Sequence, residues 1–291
     1  MNGILLIDKD SEMTSRDVVN HISHKFKIKK VGHTGTLDPL ATGVLVICIG
    51  KATKLVDVLQ SMTKEYIADG ILGLLTDTLD ITGNVLKDEP FDISLGDFKE
   101  ILNNMIGSYE QEVPIYAAVK VNGKKLYEYA RNNEKVILPK RNVNIQEIEL
   151  LSFEKIDDKV HFKLRVLVSK GTYIRSLIND IAQKCQTYGT MSALRRIKQG
   201  SFDISQCCKL QDIDNGNYQL LNIRDVLKDI PFIIVDEHLA NEINNGKILV
   251  DSYGYEKVGF MDCKGREIGI YQKDGKYIKP WKMLLINKES D

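Results

Sequence analysis

Gly32-His33-Thr34-Gly35-Thr36-Leu37-Asp38-Pro39-Leu40-Ala41-Thr42-Gly43 runs directly into Val44-Leu45-Val46-Ile47-Cys48-Ile49. The first twelve residues hold three glycines, three threonines and one carboxylate, and the next six are all apolar. A short, wholly apolar run bounded by glycines fits a buried strand. A polar loop feeding such a strand holds its carboxylate at the edge of a sheet. Pro39 biases Asp38 away from helical backbone angles, and the glycines let backbone or ligand come close. Asp38 is therefore the candidate chemical centre. Taken alone, an Asp-Pro in such a loop is a turn residue, so its role rests on what the rest of the chain places beside it.

Upstream, Gly3 to Ile7 reads as a short buried strand. Thr14 or Ser15 can cap a helix with Val18, Val19, Ile22 and Phe26 on one face; Lys25, Lys27, Lys29 and Lys30 end it. Downstream, a short helix carries Leu55, Val56 and Leu59, and 64–73 reads as a strand. Thr76-Asp77-Thr78 and Thr82-Gly83-Asn84 are turn chemistry. Ser94, with Asp97 three residues on, opens a helix with Leu95, Phe98, Ile101, Leu102, Met105 and Ile106 on its apolar face, closed by Gly107. Residues 143–169 read as a hairpin turning at Asp157-Asp158, with Val160, Phe162, Leu164, Val166 and Val168 alternating on one face. A helix through Ile174, Leu177, Ile178, Ile181, Ala182 and Cys185 follows, with Thr172 as its expected cap. Helical connections fill 205–229. From Pro231 short strands alternate with turns: Phe232–Val235, Lys247–Val250, Val258–Met261, Ile268–Tyr271 and Met283–Ile286.

The chain has 291 residues, of which 43% are hydrophobic, enough for a large domain and a small one. Lys+Arg and Asp+Glu are 40 each, so any nucleic-acid site must be local. Charge is segregated: nine acids against two lysines over 77–112, then seven basic residues against two glutamates over 120–141, among Tyr116, Tyr127 and Tyr129. Basic residues interleaved with aromatics suit a nucleic-acid surface, and equally a solvated face with tyrosines turned inward. Five cysteines without a C-x-x-C pair point to a reducing compartment and argue against a disulfide framework or zinc knuckle. The N-terminal apolar run is too short for a signal peptide, and no run is long enough to cross a membrane. A soluble cytoplasmic protein is expected.

Several attractive motifs fail. Gly43 to Thr53 has the outline of a phosphate loop, but the spacing is wrong and Ala52 stands where a magnesium-binding hydroxyl belongs. His21 and His24 lack a third metal ligand. Two features remain beside Asp38. In Ser169-Lys170-Gly171-Thr172-Tyr173-Ile174-Arg175, the arginine falls in a first helical turn, where a cation opposes the helix dipole and calls for an anion nearby. Tyr66 follows Lys64-Glu65 on a strand, where a tyrosine is more often core than catalyst.

Together these segments resemble the TruB family of pseudouridine synthases: the Gly32–Gly43 loop its signature, Lys64-Glu65-Tyr66 its second motif, and Ser169 to Leu177 its third. Leu194-Arg195-Arg196 resembles the segment after that, and Asn122 to Arg131 an insertion of the stand-alone bacterial enzymes. One departure stands out: the usual Lys-Pro-x-Gly before the Thr-Ser is here Lys9-Asp10-Ser11-Glu12-Met13-Thr14-Ser15, which leaves the turn geometry at Lys9 open. The resemblance implies an α+β fold, with a mixed, mostly antiparallel central sheet flanked by helices. It implies a catalytic unit over 1–229 with an RNA-contacting insertion at about 108–141, and a PUA-like β-barrel over 230–291. It implies conversion of uridine 55 in the T-arm loop of tRNA to pseudouridine, by a monomer, without metal, cofactor or guide RNA. Asp38, Tyr66 and Arg175 would be catalytic. His33 (as a wedge), Tyr173, Leu194, Lys9, Lys124, Lys125 and Arg131 would bind substrate. A non-enzymatic tRNA-binding or folding protein is the alternative.

Overall fold

In the computed structural model, residues 1–284 are described. Strand β1 (Gly3–Lys9) leads to helix α1 (Ser15–Phe26), which Thr14 caps reciprocally with Asp17. Then come β2 (Val31–His33), β3 (Thr42–Ile49), a 3-10 turn (Gly50–Leu55), α2 (Val56–Gln60) and β4 (Lys64–Leu72). A small hairpin follows, β5 (Leu74–Thr76) and β6 (Val85–Asp88), then α3 (Leu95–Asn104) and β7 (Gly107–Glu112). The next segment carries β8 (Lys120–Val121), β9 (Lys124–Lys125) and α4 (Leu126–Arg131). The long arms β10 (Lys140–Ile156) and β11 (Lys159–Val168) lead to α5 (Ile174–Lys184), β12 (Gly189–Gln199), β13 (Phe202–Asp203), α6 (Leu210–Asp214) and α7 (Ile223–Val226).

The central sheet runs β1-β3-β12-β4-β11-β10-β7, with β2 added beside β3 and β13 beside β12. Its pairs are antiparallel except β3 with β12, where Thr42 and Gly43 meet Arg195 and Arg196 in parallel. This is the expected mixed α+β sheet. Its two halves are buried differently, and the sequence pattern follows. Leu45, Ile47 and Ile49 face a core shared with α1, α3 and α5, while Val44, Val46 and Cys48 face a second core built with Leu55, Leu59, Ile223 and Ile270. Burial on both faces is why 44–49 reads as one unbroken apolar run. All six side chains are fully buried, each contributing roughly 1.5–3 kcal/mol. On β11 only the Val160-to-Val168 face is buried, so that strand alternates.

The C-terminal unit holds β14 (Phe232–Ile234), α8 (Glu237–Asn244), β15 (Leu249–Val250), β16 (Lys257–Met261), β17 (Glu267–Asp274) and β18 (Tyr277–Met283). Its curled five-stranded sheet runs β14-β16-β17-β18-β15, a half-barrel that fits a PUA-like unit where a β-barrel was expected. Lys282 joins it to the main body through Asp57, at 2.7 Å.

Four local expectations shift. Tyr173, not Thr172, is the N-cap of α5, and it makes no side-chain cap; the Thr172 hydroxyl donates instead to the Ser169 carbonyl. The third helix closes at Met105, and Gly107 starts β7. The last strand is Tyr277–Met283 rather than Met283–Ile286, whose positions 285 and 286 lie outside the described residues. Helix α8 stands where only strands and turns were expected, capped by Asp236.

Gly43 sits at the mouth of β3 with φ +101°, and a Cβ there would meet the Arg196 carbonyl oxygen at 2.1 Å. Gly43→Ala is therefore expected to lose about 3 kcal/mol or more of unfolding free energy, from strain and a forced break in the parallel pairing. The midpoint of denaturant unfolding measures this, and an unchanged midpoint would refute the constraint.

Candidate active site

The loop between β2 and β3 is clamped from every neighbouring element. The Thr34 amide donates to Val46 (3.1 Å). From β12, Arg196 donates to the carbonyls of Val44 (2.6 Å) and Gly35 (3.1 Å), and Gln199 to the Thr34 hydroxyl (2.6 Å). From α1, the Ser15 hydroxyl accepts from the Leu37 amide at 2.9 Å. From β1, the Lys9 ammonium donates to the carbonyls of Asp10 (2.8 Å), Met13 (2.7 Å) and Pro39 (3.3 Å). Asp38 is thus held by a fixed backbone.

Arg175, in the first turn of α5, meets Asp38 through two nitrogens: Nε to Oδ2 at 3.0 Å and Nη2 to Oδ1 at 3.3 Å. Other donors of the same guanidinium reach the backbone and a second carboxylate. Nη1 donates to the Thr78 carbonyl (2.9 Å) and Nη2 to the Tyr116 carbonyl (3.0 Å), and Nη1 lies 3.8 Å from Oδ2 of Asp80. The cation that seemed misplaced against the helix dipole therefore sits between two carboxylates. Asp80 is buried, and its other oxygen accepts from the Thr82 amide and from the hydroxyls of Thr78 and Thr82.

The Asp38 side chain keeps about a third of its surface open, 34%, against 5% for Arg175. Burial pushes the Asp38 carboxyl above the usual carboxylate range; Arg175 opposes this, Asp80 reinforces it, and Lys9 opposes it more weakly. The open side of Asp38 faces a cavity of about 1230 Å³. Tyr66, Tyr173 and Leu194 line the same cavity. Tyr66 is nearly buried on β4, directly opposite Arg196, whose guanidinium carbon lies 6.0 Å from its ring centre. Tyr173 is half-buried, and burial raises its hydroxyl above the ordinary range.

Among the described residues, Lys64, Lys120, Arg141, Lys170, Arg175 and Arg196 line this cavity against only Asp38 and Asp57. A chain of zero net charge thus carries a local cationic site suited to phosphates.

The other expected contacts stand elsewhere. Lys9 has no exposed surface; it braces the loop and cannot touch RNA from where it lies. His33 is half-buried beside the cavity rather than on its wall, and its Nδ1 accepts from the Gly35 amide at 3.3 Å. Burial lowers its pKa, which favours the neutral ring. Lys124, Lys125 and Arg131 do not line the cavity. Lys124 pairs with Glu134 at 2.6 Å and sits 4.7 Å from the Tyr129 ring centre. Lys125 donates to the Tyr127 hydroxyl at 3.0 Å, and Arg131 stacks on the same ring. The interleaved cations and aromatics of this segment therefore pair with each other, while Tyr127 lines the cavity. The sequence reading passed over Asp80. Its one signal is the flanking pair Thr78 and Thr82, whose hydroxyls can fold a short polar turn about a carboxylate.

The model of the TruB family pseudouridylate synthase N-terminal domain matches residues 23–174, and that of the tRNA pseudouridylate synthase B C-terminal domain matches 175–230. A tRNA pseudouridine synthase B of Lactobacillus acidophilus is 41% identical over 99% of this chain and 100% of its own length. One from Caldanaerobacter subterraneus subsp. tengcongensis is 40% identical over 98% and 99%. Among solved structures, a Cbf5-Nop10-Gar1 complex shares the fold, with TM-score 0.70, 22% identity and coverage of 97% of this chain and 85% of that one.

Removing Arg175 would leave Asp38 and Asp80 facing each other without their shared cation. Arg175→Met is expected to cost about 3 kcal/mol of stability, because a buried carboxylate loses its partner. It should also raise the Asp38 pKa further, so that any activity that needs the ionised carboxylate is lost at a higher pH on the acid side. Urea unfolding and a pH–rate profile check both; an unmoved acid limb would mean that Arg175 does not hold the charge of Asp38. Glu12, in the turn that Lys9 braces, has φ +65°. Glu12→Gly should relieve left-handed strain and raise stability by about 0.5 kcal/mol, net of glycine's extra chain entropy. A thermal scan that shows loss instead would refute the strain.

Proposed function

The chain belongs to the TruB pseudouridine synthase family, and on that premise we propose that its substrate is uridine 55 in the T-arm loop of tRNA, turned out of the loop into the cavity above Asp38. A target base stacked in a folded loop must leave the stack to reach an enclosed group. The observation that carries this reading is the two-point Asp38–Arg175 pair at the floor of a cation-lined cavity. A carboxylate partly shielded from water stays ionised only beside a cation, and Arg175 supplies one on a guanidinium held by the Thr78 and Tyr116 carbonyls as well.

In this reading Asp38 acts on the ribose, as nucleophile or as base. The bond from N1 of uracil to C1′ breaks, the base turns within the cavity, and C5 bonds to C1′. The proton on C5 then leaves and N1 gains one, so atoms balance and nothing is oxidised or hydrolysed. Tyr66, which lines the cavity, offers the flipped base a platform in this reading, and its hydroxyl helps remove the C5 proton. Tyr173 and Leu194 enclose the ring. Protein and tRNA are sufficient, without guide RNA.

A T-arm stem-loop labelled with tritium at C5 of the target uridine should release its label. Asp38→Asn should abolish release, by more than about 10³-fold, while RNA affinity stays within about threefold, since the loss falls on the chemical step alone. Binding without release by folded wild-type protein would overturn the enzymatic reading in favour of an RNA-folding protein. Full activity of Asp38→Asn would reassign the carboxylate.

A further inference from the structure

Helix α5 carries Arg175 and begins at Tyr173, yet no side chain of its own first turn caps it. The missing acceptor comes from another element. Gln111 on β7 is almost wholly buried, and its Oε1 accepts from the Tyr173 amide at 2.7 Å. An amide N–H can only donate, so the orientation of the Gln111 side chain is fixed. Its Nε2 then points to the Tyr109 hydroxyl, two residues away on the same strand face, and donates to it at 2.9 Å. The Tyr109 hydroxyl in turn donates to Oδ2 of Asp180 at 2.9 Å. Asp180 lies further along α5. Both ends of this one-way chain of hydrogen bonds therefore fall on the same helix, and its middle on β7.

Two further contacts continue the seam. The Ser176 hydroxyl donates to the Glu112 carbonyl (2.9 Å), and Arg175 donates to the Tyr116 carbonyl (3.0 Å). Strand β7 thus grips α5 near Asp180 and at its very start, then runs into the segment that walls the cavity. We propose that Gln111 is a positioning residue for the isomerisation, which fixes the start of α5 and through it aims Tyr173 and Arg175 at the flipped uridine and Asp38. It touches neither substrate nor Asp38. The inference rests on the function proposed above.

The mechanism is geometric. Arg175 makes its contacts with Asp38 only if the first turn of α5 keeps its height and rotation, and displacements near 1 Å in such constellations cost up to about a hundredfold in rate. The side chain nearest in shape to glutamine without its hydrogen bonds is methionine, so Gln111→Met keeps the packing and removes both links. Tyr109→Phe removes the links from Gln111 to Tyr109 and from Tyr109 to Asp180, and leaves the Tyr173 amide on Gln111.

The test has two independent arms on the full chain. In the first, hydrogen exchange is followed at the Tyr173 amide, without RNA. Gln111→Met should lose protection there by at least about tenfold while β1 and β3 keep theirs, since local opening can be confined to one element. In the second, single-turnover tritium release from the stem-loop should fall at least about tenfold in Gln111→Met and less in Tyr109→Phe, with RNA affinity within about threefold for both. The double variant should be no slower than Gln111→Met, because the two groups act in one chain. Unchanged protection at Tyr173, or an unchanged single-turnover rate, would overturn the proposal. So would a loss of rate matched by equal losses of affinity and melting temperature. If Gln111→Met does not fold, Tyr109→Phe carries both arms. Wild-type protein that releases no label refutes the function, while the exchange arm still tests the grip on α5.

Discussion

One guanidinium between two carboxylates governs the site. Arg175 has five N–H donors and, within its reach, two oxygens of Asp38, one of Asp80 and two backbone carbonyls. Removing either backbone carbonyl or Asp38 leaves a buried donor without its acceptor, and removing the arginine leaves two like charges together. Such an arrangement is weak as a source of stability, because desolvation offsets much of the attraction. Its value is orientational: a planar fork tied to Asp38 and to two backbone carbonyls has one position. That one position then fixes where Asp38, the β5–β6 hairpin and the segment after β7 must stand relative to α5.

The loop of Asp38 needs the same rigidity from below. Its supports come from β1, α1, β3 and β12, elements far apart in sequence. The parallel contact between β3 and β12 makes this possible, since it brings Arg196 and Gln199 beneath Gly35 and Thr34. Only a glycine at 43 admits the Arg196 backbone so closely. A sheet with burial on both faces at its β1–β3 end supplies the stiffness, and the loop takes its shape from it.

Much of this was legible in the chain. The unbroken apolar run at 44–49 marked a strand buried twice, and the alternation from Val160 to Val168 marked one buried once. An arginine in a first helical turn announced an anion before any partner was known. What stayed hidden has one physical character: groups whose role depends on a long-range neighbour. Asp80 reads as a turn residue until Arg175 is beside it. Gln111 carries no signal in the sequence, and only the bare start of α5 beside it gives it a partner. Lys9 was expected to bind substrate, and three backbone carbonyls close around it instead. Helix α8 was missed for another reason: its residues are polar enough to read as a turn, and only packing of Ala240 and Ile243 against the curled sheet makes it a helix.

The departure at Lys9 shows how such a frame tolerates a locally unfavourable sequence. The resemblance expects glycine where Glu12 stands, and the backbone there does adopt the left-handed conformation that glycine favours. A glutamate in that region costs roughly 1–2 kcal/mol. The fold holds it there because the turn is tied at both ends: the Glu12 amide donates to Pro39 at 2.9 Å, and Lys9 binds Asp10, Met13 and Pro39 together. Burial lowers the Lys9 ammonium to about 8, with the Asp10 and Asp38 carboxylates opposing. The turn's geometry is therefore dictated by the demand that Pro39 stay fixed beside Asp38, and the side chain at position 12 conforms to it. Strain at that turn is a consequence of holding the carboxylate still, and the Glu12 backbone bears it.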